Sequence, residues 1–219
     1  MKRLIVAIDG PSGAGKGTVS RAVARALGYR HIDTGAMYRA VAWKAHHDRI
    51  LLTDESAVAQ LARAADLVVE GGLVTIDGYD VTTAIRTPEV DKLASTVARL
   101  AKVREALVSR QRAMGVHGGV VMEGRDIGSV VFPGADVKIY LDASAEERAR
   151  RRAHDVAHAG SQRGEAAVAE AIQARDLSDT TRAASPLAVA PGAAHVDTTG
   201  MTIEAVVEEV LALVRQKLS

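Results

Sequence analysis

A strand that runs into a glycine-rich turn and leaves it as a helix is the feature that most constrains this fold. Arg3 to Ile8 is a short apolar run rich in β-branched residues and reads as a buried strand. Gly10 to Gly17 then places four glycines in eight positions, a density that neither a strand nor a helix interior tolerates. From Thr18 the residues Val19, Val23, Ala26 and Leu27 share one helical face, and Gly28 stops the helix. Strand, glycine loop, lysine and helix form the context of a phosphate-binding loop. Glycines let successive N–H groups converge on one concavity, and the helix adds its free N–H groups and positive dipole end. Lys16 can place a charge on the outer phosphates. The pattern Gly10-x-x-x-x-Gly15-Lys16 departs from the general form at Gly17, where Ser or Thr usually ligates magnesium, and Thr18 follows. A dinucleotide-binding fingerprint would want Gly or Ala where Thr18 stands.

The rest of the chain supplies the sheet that such a loop needs. Short strands read at Tyr29–Asp33, Val120–Glu123, Val137–Leu141 and His195–Asp197 alternate with helices. With the first strand they predict a five-stranded parallel sheet with helices on both faces, an α/β fold. Its carboxyl rim would then carry the phosphate loop, Thr34, Arg125, Asp126 and Asp142. Leu67–Glu70 and Leu73–Ile76 flank Gly71-Gly72, a hairpin signal, and Asp77-Gly78 turns again before Tyr79 to Ile85. A small antiparallel unit is thus inserted into the parallel chain. The helical pattern from Pro88 to Gly115 is long for one helix, and a break is expected near Ala101. Ser144 with Glu147 three residues on reads as a capping box. Arg150 to Arg152 reads equally as a solvated face or as a ligand-facing run, and Ala159 to Glu165 as a mobile segment.

Composition narrows the class. The 219 residues suit one domain with a small insertion, and aromatics at 3% mean an aliphatic core. A net charge of +1 argues against a nucleic-acid partner. No apolar stretch reaches membrane-spanning length, and the amino terminus is already strand and loop, so neither membrane nor signal peptide is expected. The absence of cysteine fits a reducing, cytoplasmic setting. Asparagine is also absent, which removes the Asn-Lys-x-Asp guanine reader of a GTPase switch. Arg39, Arg104, Arg125, Arg175 and Arg182 exceed what one nucleotide needs, and suit a chain that holds a triphosphate and a second phosphate.

Longer pieces carry a resemblance. They are Ile8–Thr18, Asp33-Thr34-Gly35-Ala36-Met37-Tyr38-Arg39, Ile85–Val90, Val103–Leu107, Glu123-Gly124-Arg125-Asp126-Ile127-Gly128-Ser129 through Pro133, and Arg175-Asp176-x-x-Asp179-x-x-Arg182. With these the chain resembles the bacterial cytidylate kinases almost end to end. Nucleoside-monophosphate kinases share the Gly-Lys-Gly-Thr ending. Shikimate- or gluconate-type kinases share the loop but have no reason for Gly-Arg-Asp-Ile-Gly or the hairpin. The resemblance implies transfer of the γ-phosphoryl group of ATP to cytidine monophosphate or its deoxy form, with magnesium carried by the nucleotide and no protein metal ligand assigned. It implies a core of residues 1–64 and 101–219, a monophosphate-binding insertion at about 65–100 and a lid at about 150–165. Gly10, Pro11, Ser12, Gly13, Ala14, Gly15, Lys16, Gly17 and Thr18 would cradle ATP. Lys16, Arg125, Arg175 and Arg182 would act in transfer. Thr34, Ser95, Arg125 and Asp126 would read cytosine, Arg39 and Arg104 would hold the acceptor phosphate, Asp179 would meet the sugar hydroxyls and Arg182 a phosphate. The expected partners are small nucleotides alone, with the protein a monomer. Cytosine's N4 amine donates, so a carboxylate such as Asp126, oriented by its neighbour Arg125, suits it.

Overall fold

The computed structural model describes residues 3–154 and 165–218. Most of the expected lid segment lies outside them. Five strands form one sheet: β1 (Ile5–Asp9), β2 (Arg30–Asp33), β6 (Val120–Gly124), β7 (Val137–Asp142) and β8 (Ala194–Asp197), in the order β2-β6-β1-β7-β8. All pairings are parallel, as the alternation of strand and helix predicts. Period-two alternation sorts the central strand: Val6 and Ile8 pack on one face, Ala7 on the other. The first face is covered by α1 (Lys16–Leu27) and α8 (Ile203–Arg215), through Val19, Val23, Val206 and Val210. The second receives Val108 of α5 (Ala101–Gly115) against Ile32, Val120 and Met122.

A second sheet of β3 (Leu67–Glu70), β4 (Leu73–Ile76) and β5 (Tyr79–Asp80) is antiparallel. Gly71 and Gly72 both have positive φ, 60° and 92°, as a tight hairpin turn requires. The run from Tyr79 does not continue as strand to Ile85. The Asp80 carboxylate accepts the Thr82 N–H at 2.9 Å, and this local turn ends the pairing. Val69, Val74 and Ile76 pack with α2 (Thr34–His47), α3 (Glu55–Ala64), α4 (Pro88–Val97) and α5 in one aliphatic cluster. The long helical pattern does break, at Leu100, whose φ of −75° and ψ of 113° are extended. Only half of the capping box forms before α6 (Ala145–Ala153). Ser144 accepts the Glu147 N–H, but the Glu147 carboxylate is taken by Arg150 and Arg151. The Ser144 N–H goes instead to the Thr199 hydroxyl. The helix α7 (Glu165–Thr181) completes the set around the rim.

Strand register levels the rim. Asp9 stands opposite Gly124, Asp33 opposite Glu123 and Asp142 opposite Asp197. Segments leaving β1, β2 and β6 therefore begin side by side, which brings together loops distant in sequence.

Candidate functional site

A cleft of about 1020 Å³ lies over this rim. Its floor is the phosphate loop, and all of the expected site residues line it except Gly10 and Pro11. Gly10 sits below, where a Cβ would stand 2.0 Å from the Leu141 carbonyl oxygen, at a φ of 148° that favours glycine. Pro11 offers its carbonyl to the Lys16 ammonium at 2.6 Å. Burial, and then the Arg125 charge, push the Lys16 ammonium well below its ordinary range. An anion in the cleft would reverse that pressure. Below the loop the Asp9 carboxylate accepts two backbone N–H groups, Ile127 and Gly128, each at 2.8 Å. Burial still raises Asp9 to about 6, against the lowering effect of those bonds.

Beside the loop the cleft wall carries an alternating chain of charges. Arg104 donates to Asp126 Oδ2, and Asp126 Oδ1 faces Arg182 at 3.4 Å. Arg182 lies 3.9 Å from Asp179, whose other oxygen accepts Arg125 Nε at 2.8 Å. The sequence reading paired Asp126 with its neighbour Arg125. The structure pairs Asp126 with Arg104 and Arg182 instead, because the turn after β6 sends the two side chains to different partners. Burial acts to raise Asp179 and to lower Arg125, but their mutual attraction prevails and holds both charged. Burial and the nearby Arg104 lower Arg182. Arg104 also lies over the Tyr38 ring, 5.5 Å from its centroid, and burial pushes the Tyr38 hydroxyl up to about 12.

Three arginines are parked on carboxylates at the cleft wall. Arg39 meets Asp33 at 2.9 Å, and Arg175 meets Asp91 at 3.2 Å, where Arg152 also pairs. Burial would raise Asp33, but Arg39 and the Ala36 N–H overcome it and leave it lowered. That N–H bond makes Asp33 the cap of α2, so Thr34 is the first helical residue. The Thr34 hydroxyl donates to the Glu123 carbonyl at 2.7 Å. The Ser95 hydroxyl donates to the Asp91 carbonyl at 3.0 Å. Buried nitrogens of Arg39, Arg104, Arg175 and Arg182 lack a hydrogen-bond acceptor among the described residues. Buried donors left unpaired are costly, so this surplus suits an anionic ligand.

The run Arg150 to Arg152 divides. Arg150 is exposed, Arg151 donates to the Thr198 hydroxyl at 2.8 Å, and Arg152 reaches Asp91. Sequence reasoning passed over Arg148, Tyr38, and the cleft-lining Thr198, Met201, Thr202, Ile203 and Val206. It also passed over the His31–Glu123 pair at 2.8 Å, which sets Glu123 against Gly17. No spacing rule flags these contacts, since their partners are far apart in the chain. Among the described residues no group of three or more acidic or histidine side chains is placed to hold a metal. No helix among them is long and apolar enough to cross a membrane.

Comparison with known proteins covers nearly the whole chain. Residues 6–216 match the family model described as cytidylate kinase. A cytidylate kinase of Desulfitobacterium hafniense (strain Y51) is 49% identical over 220 residues, 99% of this chain and 95% of that protein. A cytidylate kinase of Bacillus subtilis (strain 168) is 44% identical, over 99% of this chain and 98% of its own length. Among solved structures, a shikimate kinase from Bacteroides thetaiotaomicron is similar in fold, with a TM-score of 0.51 at 12% identity, over 97% of this chain and 98% of that one.

Proposed function

This chain belongs to the cytidylate kinase family, and we propose from that premise how its cleft divides the work. The enzyme transfers the γ-phosphoryl group of ATP to cytidine monophosphate. In our reading deoxycytidine monophosphate is accepted as well. The observation that carries the division is the pair of buried charge systems facing each other across one cleft: Lys16 with the phosphate loop, and the chain Arg104–Asp126–Arg182–Asp179–Arg125.

Residues 12–18 cradle the donor, with loop N–H groups and the Lys16 ammonium on its phosphates, while Gly10 and Pro11 support them from below the cleft. Cytosine lies against Thr34, Ser95, Arg125 and Asp126. Asp126 Oδ1 has only a 3.4 Å contact to Arg182, whose Nη2 makes no hydrogen bond, so a lone pair remains for the N4 amine. Arg39 and Arg104 hold the acceptor phosphate, Asp179 takes sugar hydroxyls, and Arg125, Arg175 and Arg182 neutralise the transferring group. Phosphoryl transfer asks the protein for alignment and charge, and these side chains supply both. The segment 65–100 brings Ser95 over the acceptor, and the stretch around 150–165 acts as the lid.

Magnesium enters as part of the ATP substrate. Gly17 stands where a hydroxyl would ligate, and Thr18 and the Glu123 carboxylate, one oxygen of which pairs with His31, are among the side-chain oxygens of the cleft that would be available to the ion. In this reading the protein acts as a monomer in the cytoplasm. Mass spectrometry of a reaction with ATP and cytidine monophosphate tests the assignment. Cytidine diphosphate and ADP should form in equal amounts. ADP without the diphosphate would reduce the activity to ATP hydrolysis.

A further inference from the structure

One buried cation beside the cleft has no part in the division above. Arg148 of α6 is buried and does not line the cleft. Its Nε donates to the Ala143 carbonyl at 3.0 Å. Its Nη1 donates to the Ser12 carbonyl at 3.1 Å and to Asp176 Oδ2 at 2.5 Å. The three partners sit at the end of β7, in the phosphate loop and on α7. An apolar side chain often stabilises such a site as well as a buried ion pair does. Stability alone is thus a weak account of this guanidinium.

The Ser12 contact has a direct consequence for the loop. In a trans peptide the carbonyl and the following N–H point in opposite directions. Holding the Ser12 carbonyl against Arg148 turns the Gly13 N–H away from α6, towards the concavity that Gly13 and Gly15 line. Both glycines have left-handed φ, 81° and 85°, the backbone that gathers N–H groups around an anion. The seat is close-fitting: a Cβ on Gly13 would stand 2.8 Å from the Arg148 carbonyl oxygen. Asp176 grips the same guanidinium from α7, one residue after Arg175 and three before Asp179. The loop is thereby tied to the helix that carries the arginine and the carboxylate of the cleft wall.

We propose that Arg148 is a positioning residue for phosphoryl transfer, which aims the phosphate-loop N–H groups at the donor's phosphates while Asp176 holds its guanidinium in place. It touches no substrate. The inference rests on the reading of residues 12–18 as the ATP cradle, and the test separates the two.

The probes are a non-hydrolysable ATP analogue and cytidine monophosphate, titrated calorimetrically into the full chain. Arg148→Met should weaken the analogue about tenfold, the worth of one lost hydrogen-bonding constraint. It should lower kcat as well, and weaken cytidine monophosphate clearly less than the analogue, since Arg104 and Asp126 stand on other elements and only Asp179 shares α7 with Asp176. Arg148→Lys should recover part of the loss, because an ammonium keeps the charge without the fork. If Arg148→Met does not fold, Arg148→Lys and Asp176→Asn carry the same test in milder form. A purely structural Arg148 would lower the melting temperature and leave analogue affinity and kcat of the folded protein unchanged, which overturns the proposal. Lys16→Met is the control. If it too bound the analogue normally, the cradle would be misplaced and the proposal would fall with it. If it lost binding while the Arg148 variants kept theirs, the cradle would stand and the proposal alone would fall.

Discussion

Asp126→Asn separates base reading from structural support more sharply than any other single change. Asp126 is buried, and its two oxygens have different tasks: Oδ2 accepts from Arg104, and Oδ1 faces Arg182 at 3.4 Å with a lone pair to spare. Asparagine keeps the shape but leaves two buried guanidinium groups without their shared charge. Breaking a buried pair costs roughly 3–5 kcal/mol, and the retained amide oxygen should bring the loss to about 3 kcal/mol or less. The melting temperature should fall accordingly. Separately, the hydrogen bond from cytosine's amine to a carboxylate is worth roughly 1.5–3 kcal/mol, so kcat/KM for cytidine monophosphate should drop about 10- to 100-fold. Uracil presents an acceptor at that place and is repelled by a carboxylate but not by an amide, so relative activity on uridine monophosphate should rise. The assay is the ratio of kcat/KM for the two acceptors, wild type against variant, below the melting temperature of both. A ratio cancels any loss of folded enzyme. If both acceptors lose activity by the same factor, Asp126 only braces Arg104 and the base-reading argument is refuted.

Two further outcomes are expected. Asp9 holds its proton more tightly when folded, at about 6 against an ordinary 3.8, so the stability this adds is fully present below about pH 4 and lost as pH rises through about 6. Between those limits the wild type should lose about 3 kcal/mol more than Asp9→Asn in urea unfolding, and parallel curves would contradict the burial argument. Gly13→Ala must place a Cβ 2.8 Å from the Arg148 carbonyl oxygen at a φ of 81°. It should cost about 1–3 kcal/mol in thermal unfolding and weaken ATP binding, and a variant as stable as the wild type would show the loop to be looser than described.

The fold was legible where local chemistry decides it. The three central strands β1, β6 and β7 are rich in Val and Ile and fit a buried sheet, the edge strands β2 and β8 are short and mixed, and Gly71-Gly72 can hardly be anything but a turn. The phosphate loop announces itself because its glycines serve no other end. Boundaries were less legible where a side chain competes with the backbone. Asp80 captures the Thr82 N–H and ends β5, and Asp33 caps α2 three residues before its first apolar residue, Ala36. The cleft's pairings were not legible. Arg125 and Asp126 are neighbours in sequence, yet each finds its partner elsewhere, Asp179 for one and Arg104 for the other. Arg148 could not be told from the charged run that follows it, because only the packing of α6 on the loop buries one arginine and exposes Arg150.

Acceptor selection is the claim on which the account turns. The direct measurement is ADP release from ATP with each nucleoside monophosphate in turn, with shikimate and gluconate as non-nucleotide acceptors. Turnover should be highest with cytidine monophosphate and its deoxy form. It should fall by about 10-fold or more with uridine monophosphate, the cost of facing Asp126 with the wrong hydrogen-bonding edge. Background release should remain with the two non-nucleotide acceptors. Equal turnover with uridine monophosphate, or turnover with shikimate or gluconate above that background, would contradict the assignment of Asp126 and its arginines to a cytosine nucleotide.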